Sequence, residues 1–206
     1  MIRRSITILG LVILITCLTF ASEKEKESVK IDEQVKDWSL KDTEDKLHSL
    51  KTLGEEKKAI LLIFLATQCP VVDDYVVRIN TLHKDYKEKV VQIVGVHSNK
   101  HEKIEEIKEY TEKHKFEFTI LKDTDNVIAD YFNARRTPEV FLIDSKKILR
   151  YRGAIDDSRQ DPKTQYLRSN LDLVLEGRTI PDKQKKTRAI GCLIKRVRKT
   201  DIDRTP

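Results

Sequence analysis

Hydrophobic residues in the first half of the chain form two kinds of pattern, continuous runs and positions at helical spacing. Two apolar runs, 59–65 and 90–96, are typical of strands that are buried on both faces of a sheet. The first run is followed by a helical stripe made of Val72, Tyr75, Val76, Ile79, Leu82 and Tyr86. We expect this helix to start at Pro70, since the missing N–H group of proline costs nothing in a first turn. The pattern thus predicts a strand, a short turn and a helix around residue 69.

The rest of the pattern predicts shorter elements. In chain order these are a hairpin over 37–50, a helix with the stripe Ile104, Ile107 and Tyr110, a strand over 118–121, a helix over 127–132, a hairpin of 139–144 with 148–152, and a helix over 164–176. Asn99 and Glu102 are interpreted as a capping box for the helix that holds Ile104. Strands that alternate with helices predict an α/β sandwich with a mixed central sheet flanked by helices.

The N-terminus has the composition of an export signal. Arg3 and Arg4 precede an apolar run over 6–20, and Thr19-Phe20-Ala21 offers small residues for cleavage. The run is shorter than the ~20 residues of a comfortable membrane span. We therefore expect a signal peptide over 1–21 and a periplasmic or other extracytoplasmic location. An uncleaved anchor, which would keep the protein near a membrane, and lipid attachment at Cys17 are the alternatives.

Three further segments follow the signal. The lysine- and glutamate-rich segment 22–34 is expected to be a flexible spacer. A single domain is expected over 35–178, and 179–206 is expected to be an extended or partly ordered basic tail that could touch anionic lipid or an acidic partner.

Overall composition bounds the function. Apolar residues make up 39% of the 206 residues and charged residues 36%, as expected for a soluble globular body. The net charge of +6 falls to 38 − 34 = +4 without Arg3 and Arg4, and no aromatic residues are interleaved with the basic tail. We expect no nucleic-acid partner, no cofactor and no metal site. His97 and His101 have i, i+4 spacing, but we expect solvated or capping roles for them.

Cys69 is the main candidate for chemistry. It lies between a buried strand and Pro70, where unpaired N–H groups and the positive end of the helix dipole favour a thiolate. A thiolate is the nucleophilic form of cysteine, so we expect its sulfur to be held in place, accessible and easily ionised. The competing interpretation is a small buried hydrophobic residue.

A second motif contains Arg136, Thr137 and Pro138. A proline at the start of a buried strand cannot donate to the ladder; one explanation is a cis peptide, and the other is a trans proline at a sheet edge. Cys192 remains the other cysteine if residues 1–21 are removed. An exported protein with two cysteines favours a disulfide, but the sequence does not decide whether Cys192 reaches Cys69 or is an unpaired thiol of the tail.

Together these motifs resemble the thioredoxin-like superfamily and its redoxin branch, the relatives of alkyl hydroperoxide reductase and thiol-specific antioxidant. The resemblance covers about 35–177 and rests on Phe64-Leu65-Ala66-Thr67-Gln68-Cys69, on Arg136-Thr137-Pro138, and on Asp37-Trp38-Ser39-Leu40. It implies Cys69 as the nucleophile and Thr137-Pro138 as a cis-proline loop. Cys192 is then the candidate resolving thiol, and Arg136 a candidate supporting residue.

The chain also departs from both parent patterns. The second cysteine of a thioredoxin motif is replaced by Val72, and the hydroxyl-bearing position of peroxiredoxins is Ala66. We therefore expect a thiol oxidoreductase with one cysteine in its active-site turn. Its partners would be a protein or small-molecule thiol or disulfide and an external thiol reductant. The alternatives are a thiol peroxidase that acts on peroxides and a non-catalytic binding or copper-handling protein. The latter is disfavoured because Asp73 occupies the second copper-ligand position.

Overall fold

The computed structural model describes residues 28–197. Its strands are β1 (Ser39–Asp42), β2 (Leu47–Ser49), β3 (Ala59–Leu65), β4 (Val91–His97), β5 (Thr119–Lys122), β6 (Arg136–Thr137), β7 (Glu139–Asp144), β8 (Leu149–Gly153) and β9 (Cys192–Leu193). Its α-helices are α1 (Leu50–Leu53), α2 (Pro70–Tyr86), α3 (Ile104–His114), α4 (Val127–Tyr131) and α5 (Tyr166–Leu175). Short 3-10 turns cover Lys87–Lys89 and Asp182–Gln184.

Seven strands form one mixed sheet in the order β2-β1-β5-β4-β3-β7-β8. The three central strands β3, β4 and β5 run parallel, and the outer strands pair antiparallel. In this register Leu65, the last residue of β3, is paired with His97, the last residue of β4. The loops that follow both strands therefore leave the sheet at the same edge.

Helices cover both faces of this sheet, because the side chains of each central strand alternate between two apolar layers. Leu61, Ile63 and Leu65 pack in the layer that contains the apolar stripe of α2 and the buried side of α5. Leu62 and Phe64 pack in the layer that contains α1 and α4. Every residue of β3 is buried, as its unbroken apolar run predicts. The α/β sandwich with a mixed central sheet is confirmed.

The strand–turn–helix unit around residue 69 also agrees with the prediction. Strand β3 has the predicted bounds, and α2 begins at Pro70 with Cys69 at its N-cap position. The other predicted strands and helices α4 and α5 lie within two residues of their predicted bounds, whereas α1, β6 and β9 were not predicted.

The capping box assigned to Asn99 and Glu102 is wrong. Helix α3 begins at Ile104 with Lys103 as its N-cap, and the main-chain N–H of Lys103 donates to Glu106 Oε2 at 3.3 Å. Asn99 and Glu102 instead lie in the loop before the helix, where both are buried.

The expected spacer and the expected tail are both packed on the domain where the structure describes them. In 28–34, the N–H of Val29 donates to the Tyr131 carbonyl at 2.9 Å, and Gln34 bridges to Ile148. In 179–197, strand β9 pairs with β6, and Ile180 belongs to the buried core. A flexible spacer is therefore wrong for residues 28–34, and the predicted extended or partly ordered tail is packed on the domain over 179–197. Apolar side chains at isolated positions anchor segments whose composition is mainly polar.

The signal peptide predicted over 1–21, with its alternatives, lies outside the described residues. Within 28–197, none of the helices combines the length and the apolar character that a membrane crossing requires.

Candidate active site

Cys69 ends the turn that leaves β3 and caps the N-terminus of α2. Its carbonyl accepts hydrogen bonds from the N–H groups of Val72 and Asp73 at 2.8 and 3.2 Å. Pro70 occupies the first turn, and the backbone of Cys69 is extended, with φ −111° and ψ 105°. The cysteine is therefore held by the start of the helix that the sequence predicts there.

The loop with Arg136, Thr137 and Pro138 lies directly against this cysteine. The Thr137–Pro138 peptide is cis, as the redoxin resemblance implies. The Sγ atom of Cys69 lies 3.2 Å from the Thr137 carbonyl oxygen, which accepts a hydrogen bond from the protonated thiol. The structure therefore brings together two motifs that are 68 positions apart in the chain.

Cys192 completes the group. Strand β9 pairs antiparallel with β6, with Thr137 opposite Cys192. This places the Sγ atoms of Cys69 and Cys192 2.6 Å apart, and both are free thiols. The guanidinium of Arg136 donates to the Gly191 carbonyl at 2.7 Å, so this arginine contacts the C-terminal segment.

The expectation that the sulfur of Cys69 is accessible is wrong for this state of the protein. Cys69 is fully buried, whereas Cys192 is half-buried. The C-terminal segment contributes to this burial, because β9 pairs along β6 and places Cys192 against Cys69.

The two thiols differ in their readiness to ionise. Burial raises the pKa of Cys69, but hydrogen bonding from the Cys192 side chain and from the Val72 main chain outweighs it and lowers the pKa. For Cys192, burial and the neighbouring Cys69 sulfur both raise the pKa. Cys69 is thus the first of the pair to become a thiolate, while Cys192 remains a hydrogen-bond donor to it.

A buried carboxylate supports the turn before Cys69. Glu102 Oε1 accepts from the N–H of Thr67 at 2.6 Å and from its hydroxyl at 3.1 Å. Glu102 Oε2 lies 3.2 Å from Nδ1 of His97, and neither side chain has any exposed surface. Burial raises the pKa of Glu102, but the hydrogen bonds from His97, Thr67 and Asn99 outweigh it and lower the pKa.

The positions of Glu102 and His97 both differ from the sequence-based expectation, since Glu102 supports the turn before Cys69 and does not cap a helix. The solvated or capping role expected for His97 is wrong, because the residue is buried in the core at the end of β4. A signal was present, since the loops after adjacent parallel strands meet at one sheet edge, which places Glu102 beside the turn of Cys69. Among the described residues there is no group of three or more His, Cys, Asp or Glu side chains arranged to hold a metal ion.

The fold and this pair of loops define the class of protein as thioredoxin-like. Within that class, the sequence profile of the AhpC/TSA family matches residues 31–152, which is more than half of the chain. The chain belongs to the AhpC/TSA family.

Three known proteins show how far the likeness extends. Thiol-disulfide oxidoreductase ResA from Halalkalibacterium halodurans is 26% identical over 119 residues, which cover 58% of this chain and 65% of that protein. The match thus spans slightly less than two thirds of that relative. The hypothetical protein SMc02350 from Sinorhizobium meliloti 1021 has 27% sequence identity to this chain. Its crystal structure superposes with a TM-score of 0.74, and the match covers 83% of this chain and 97% of that one. The thioredoxin domain of thiol-disulfide oxidoreductase BVU-2223 from Bacteroides vulgatus shares the fold alone, with 18% identity and a TM-score of 0.51 over 59% of this chain and 86% of that one.

Proposed function

We propose that the protein is a thiol-disulfide oxidoreductase in which Cys69 attacks and Cys192 resolves. The observation that carries this proposal is the 2.6 Å separation of their Sγ atoms beside the Thr137 carbonyl. The relative named ResA, a thiol-disulfide oxidoreductase, supports the same type of chemistry. Val72 replaces the second cysteine of a thioredoxin motif, so the active-site turn has no resolving thiol of its own. In this proposal the second cysteine is Cys192, from the C-terminal strand β9.

The reaction takes two exchange steps. The Cys69 thiolate attacks one sulfur of a substrate disulfide, which forms a mixed disulfide and releases the other substrate sulfur as a thiolate that takes up a proton. Cys192 then loses its proton and attacks the Cys69 sulfur. This step releases the second substrate thiol and leaves a Cys69–Cys192 disulfide, which an external dithiol reduces to two thiols.

The remaining site residues have supporting roles in this proposal. Thr137 and Pro138 form the surface against which Cys69 is held, and the Thr137 carbonyl accepts a hydrogen bond from its thiol form. Arg136 acts on the C-terminal segment through the Gly191 carbonyl rather than as a support for bound peroxide. The position that carries a hydroxyl side chain in peroxiredoxins is Ala66 here, and its methyl group cannot hydrogen-bond a peroxide.

Turnover of two substrates tests the proposal. The full chain and its Cys69→Ser variant are assayed for reduction of the insulin disulfides by dithiothreitol and, separately, for consumption of hydroperoxide. Disulfide reduction that is lost in Cys69→Ser supports the proposal. Peroxide consumption without disulfide reduction would indicate a thiol peroxidase instead, and the absence of both would indicate a binding protein.

We also propose that the protein is exported and acts outside the cytosol. Arg3 and Arg4 before the apolar run support this, and disulfide chemistry persists in such compartments. Sequencing the N-terminus of the protein from an extracytoplasmic fraction tests the proposal. Cleavage after Ala21 is expected, and recovery of the intact chain from the cytosol would contradict it.

A further inference from the structure

The residues that follow Cys192 are held to the domain independently of strand β9. The strand itself is only two residues long, Cys192–Leu193. Directly after it, the N–H of Ile194 donates to the Arg135 carbonyl at 3.0 Å, which continues the register of β6 with β9, and the Ile194 side chain is buried. Residues 195–197 are attached to other parts of the fold, through the main chain of Lys195 and Val197.

One attachment is Asn99, in the loop after β4. Its side-chain oxygen accepts a hydrogen bond from the N–H of Lys195 at 2.7 Å. The next residue, Lys100, donates its N–H to the Lys195 carbonyl at 2.8 Å. One loop thus binds both main-chain polar groups of a residue three positions after Cys192.

A second attachment is Asn126, at the N-terminus of α4. Its side-chain oxygen accepts from the N–H of Val197 at 2.7 Å, and its amide nitrogen donates to the Ser98 carbonyl. Asn99 and Asn126 are almost fully buried, at 5% and 2% exposure. Burying an amide side chain costs free energy unless its polar atoms are hydrogen-bonded. Both asparagines meet this requirement through main-chain groups of the segment after Cys192.

The same loop also supports the turn before Cys69. The Asn99 side chain hydrogen-bonds to Glu102, whose carboxylate accepts from the N–H of Thr67 at 2.6 Å. A continuous set of hydrogen bonds thus joins the segment after Cys192 to the turn before Cys69. None of these side chains is a thiol or a proton donor to the sulfurs, so their contribution is to fix the relative position of the two cysteines.

We propose that Asn99 and Asn126 are positioning residues that return Cys192 to Cys69 for the second exchange step. The inference rests on the proposed function. While a substrate sulfur is bound to Cys69, β9 is displaced but residues 195–197 stay attached to both asparagines. Cys192 is then tethered three residues from a fixed point, which gives it a high effective concentration at the mixed disulfide.

A single-turnover reaction with 5,5′-dithiobis(2-nitrobenzoate) separates the two steps. The Cys69 thiolate attacks the reagent, forms a mixed disulfide and releases one thionitrobenzoate. Cys192 then loses its proton and attacks the Cys69 sulfur, which releases a second thionitrobenzoate and forms the protein disulfide. The full chain carries Cys17→Ser so that only these two thiols react. The variants are Asn99→Ala and Asn126→Gly; glycine is chosen because residue 126 has a φ of 58°.

Each variant is expected to slow the second release about three- to tenfold, and the double variant on the order of thirtyfold, as the loss of one or two hydrogen bonds predicts. The first release should keep its rate or become faster, because a looser segment covers Cys69 less. Asn80→Ala is the matched control, since the Asn80 amide donates to the His114 carbonyl at 2.8 Å and holds a different part of the fold.

The ratio of the second rate to the first distinguishes positioning from a general loss of structure, which would change both rates. Equal ratios in wild type, Asn99→Ala and Asn126→Gly would overturn the inference while the two-cysteine mechanism stands. Release of only one thionitrobenzoate by the wild type would overturn the proposed function and this inference with it.

Discussion

Gly191 packs so closely on Thr137 that a methyl group on its Cα would lie 2.1 Å from the Thr137 carbonyl oxygen. That oxygen belongs to the main chain of the cis-proline loop, which cannot yield as a flexible side chain would. It also accepts the hydrogen bond from the Cys69 thiol. The absence of a side chain at Gly191 is therefore what allows Cys192 to reach Cys69.

Gly191→Ala is expected to displace β9 from β6 and expose Cys69. Loss of the β6–β9 pairing and of the hydrogen bond from Arg136 to the Gly191 carbonyl should raise the rate of alkylation at Cys69 on the order of tenfold. Formation of the Cys69–Cys192 disulfide should slow at the same time. Rates of iodoacetamide labelling, read by mass spectrometry at Cys69, measure the change.

Ile190→Ala is the control for this variant, because Ile190 is adjacent in the chain and 61% exposed. It should leave the labelling rate of Cys69 near that of wild type. An unchanged labelling rate in Gly191→Ala would show that the close approach to Thr137 does not control access.

Cys192→Ala is expected to raise the pKa of Cys69, since it removes a hydrogen-bond donor to the thiolate. A higher pKa leaves less thiolate at neutral pH. The pH profile of Cys69 alkylation should therefore shift to higher pH, with slower labelling at pH 7 and convergence at alkaline pH. The experiment uses the full chain with Cys17→Ser.

Cys192→Ser separates the donor from the sulfur atom. Its hydroxyl can still donate to Cys69, so its profile should lie closer to that of the unsubstituted protein. If the Cys192→Ser and Cys192→Ala variants both give the same pH profile as the protein that retains Cys192, hydrogen bonding from residue 192 does not set the pKa of Cys69.

Glu102→Ala should lower the free energy of unfolding by about 3 kcal/mol, because it leaves the N–H of Thr67 and the buried Nδ1 of His97 without their acceptor. Urea denaturation followed by circular dichroism measures this. Glu109→Ala, at an exposed position of α3, is the control and should change stability little. A loss in Glu102→Ala no larger than in Glu109→Ala would contradict the supporting role of the carboxylate.

The contribution of Glu102 should also depend on pH. Its pKa is lowered below the ordinary value of 4.5 in the folded protein, so its stabilisation is fully present above that value. The stabilisation should be lost as the pH falls through the folded pKa. Comparing urea midpoints of wild type and Glu102→Gln between neutral and acidic pH tests the sign, because the variant should lack this component. A parallel decline in both proteins would contradict it.

The local features of the site could be predicted from the sequence, but the packing of the C-terminal segment against Cys69 could not. The run over 59–65 and Pro70 determine a strand and a helix start through local rules, so the position of Cys69 followed directly. The approach of Cys192 depends on one glycine without a clash and on two buried amides, and none of these has a periodic pattern.

Glu102 illustrates the same limit in another way. The spacing of Glu102 from Asn99 matches a capping box. The sequence alone does not show which other loop lies beside Glu102 in the folded protein. The structure replaces the local interpretation with a tertiary one, because two donors of Thr67, in the turn before Cys69, are bound by the buried carboxylate of Glu102. Polar residues near the ends of adjacent parallel strands are therefore better interpreted in pairs of loops than one loop at a time.

Trapping the mixed disulfide tests the assignment of the two cysteines most directly. The reduced full chain with Cys17→Ser, and its Cys69→Ser and Cys192→Ser variants, are treated with a small peptide disulfide and mapped by mass spectrometry without reduction. Cys192→Ser should accumulate the peptide on Cys69, Cys69→Ser should react far more slowly, and the protein with both cysteines should end as a Cys69–Cys192 disulfide. Accumulation of the peptide on Cys192, or a freely alkylatable Cys192 after oxidation of Cys69, would contradict the account.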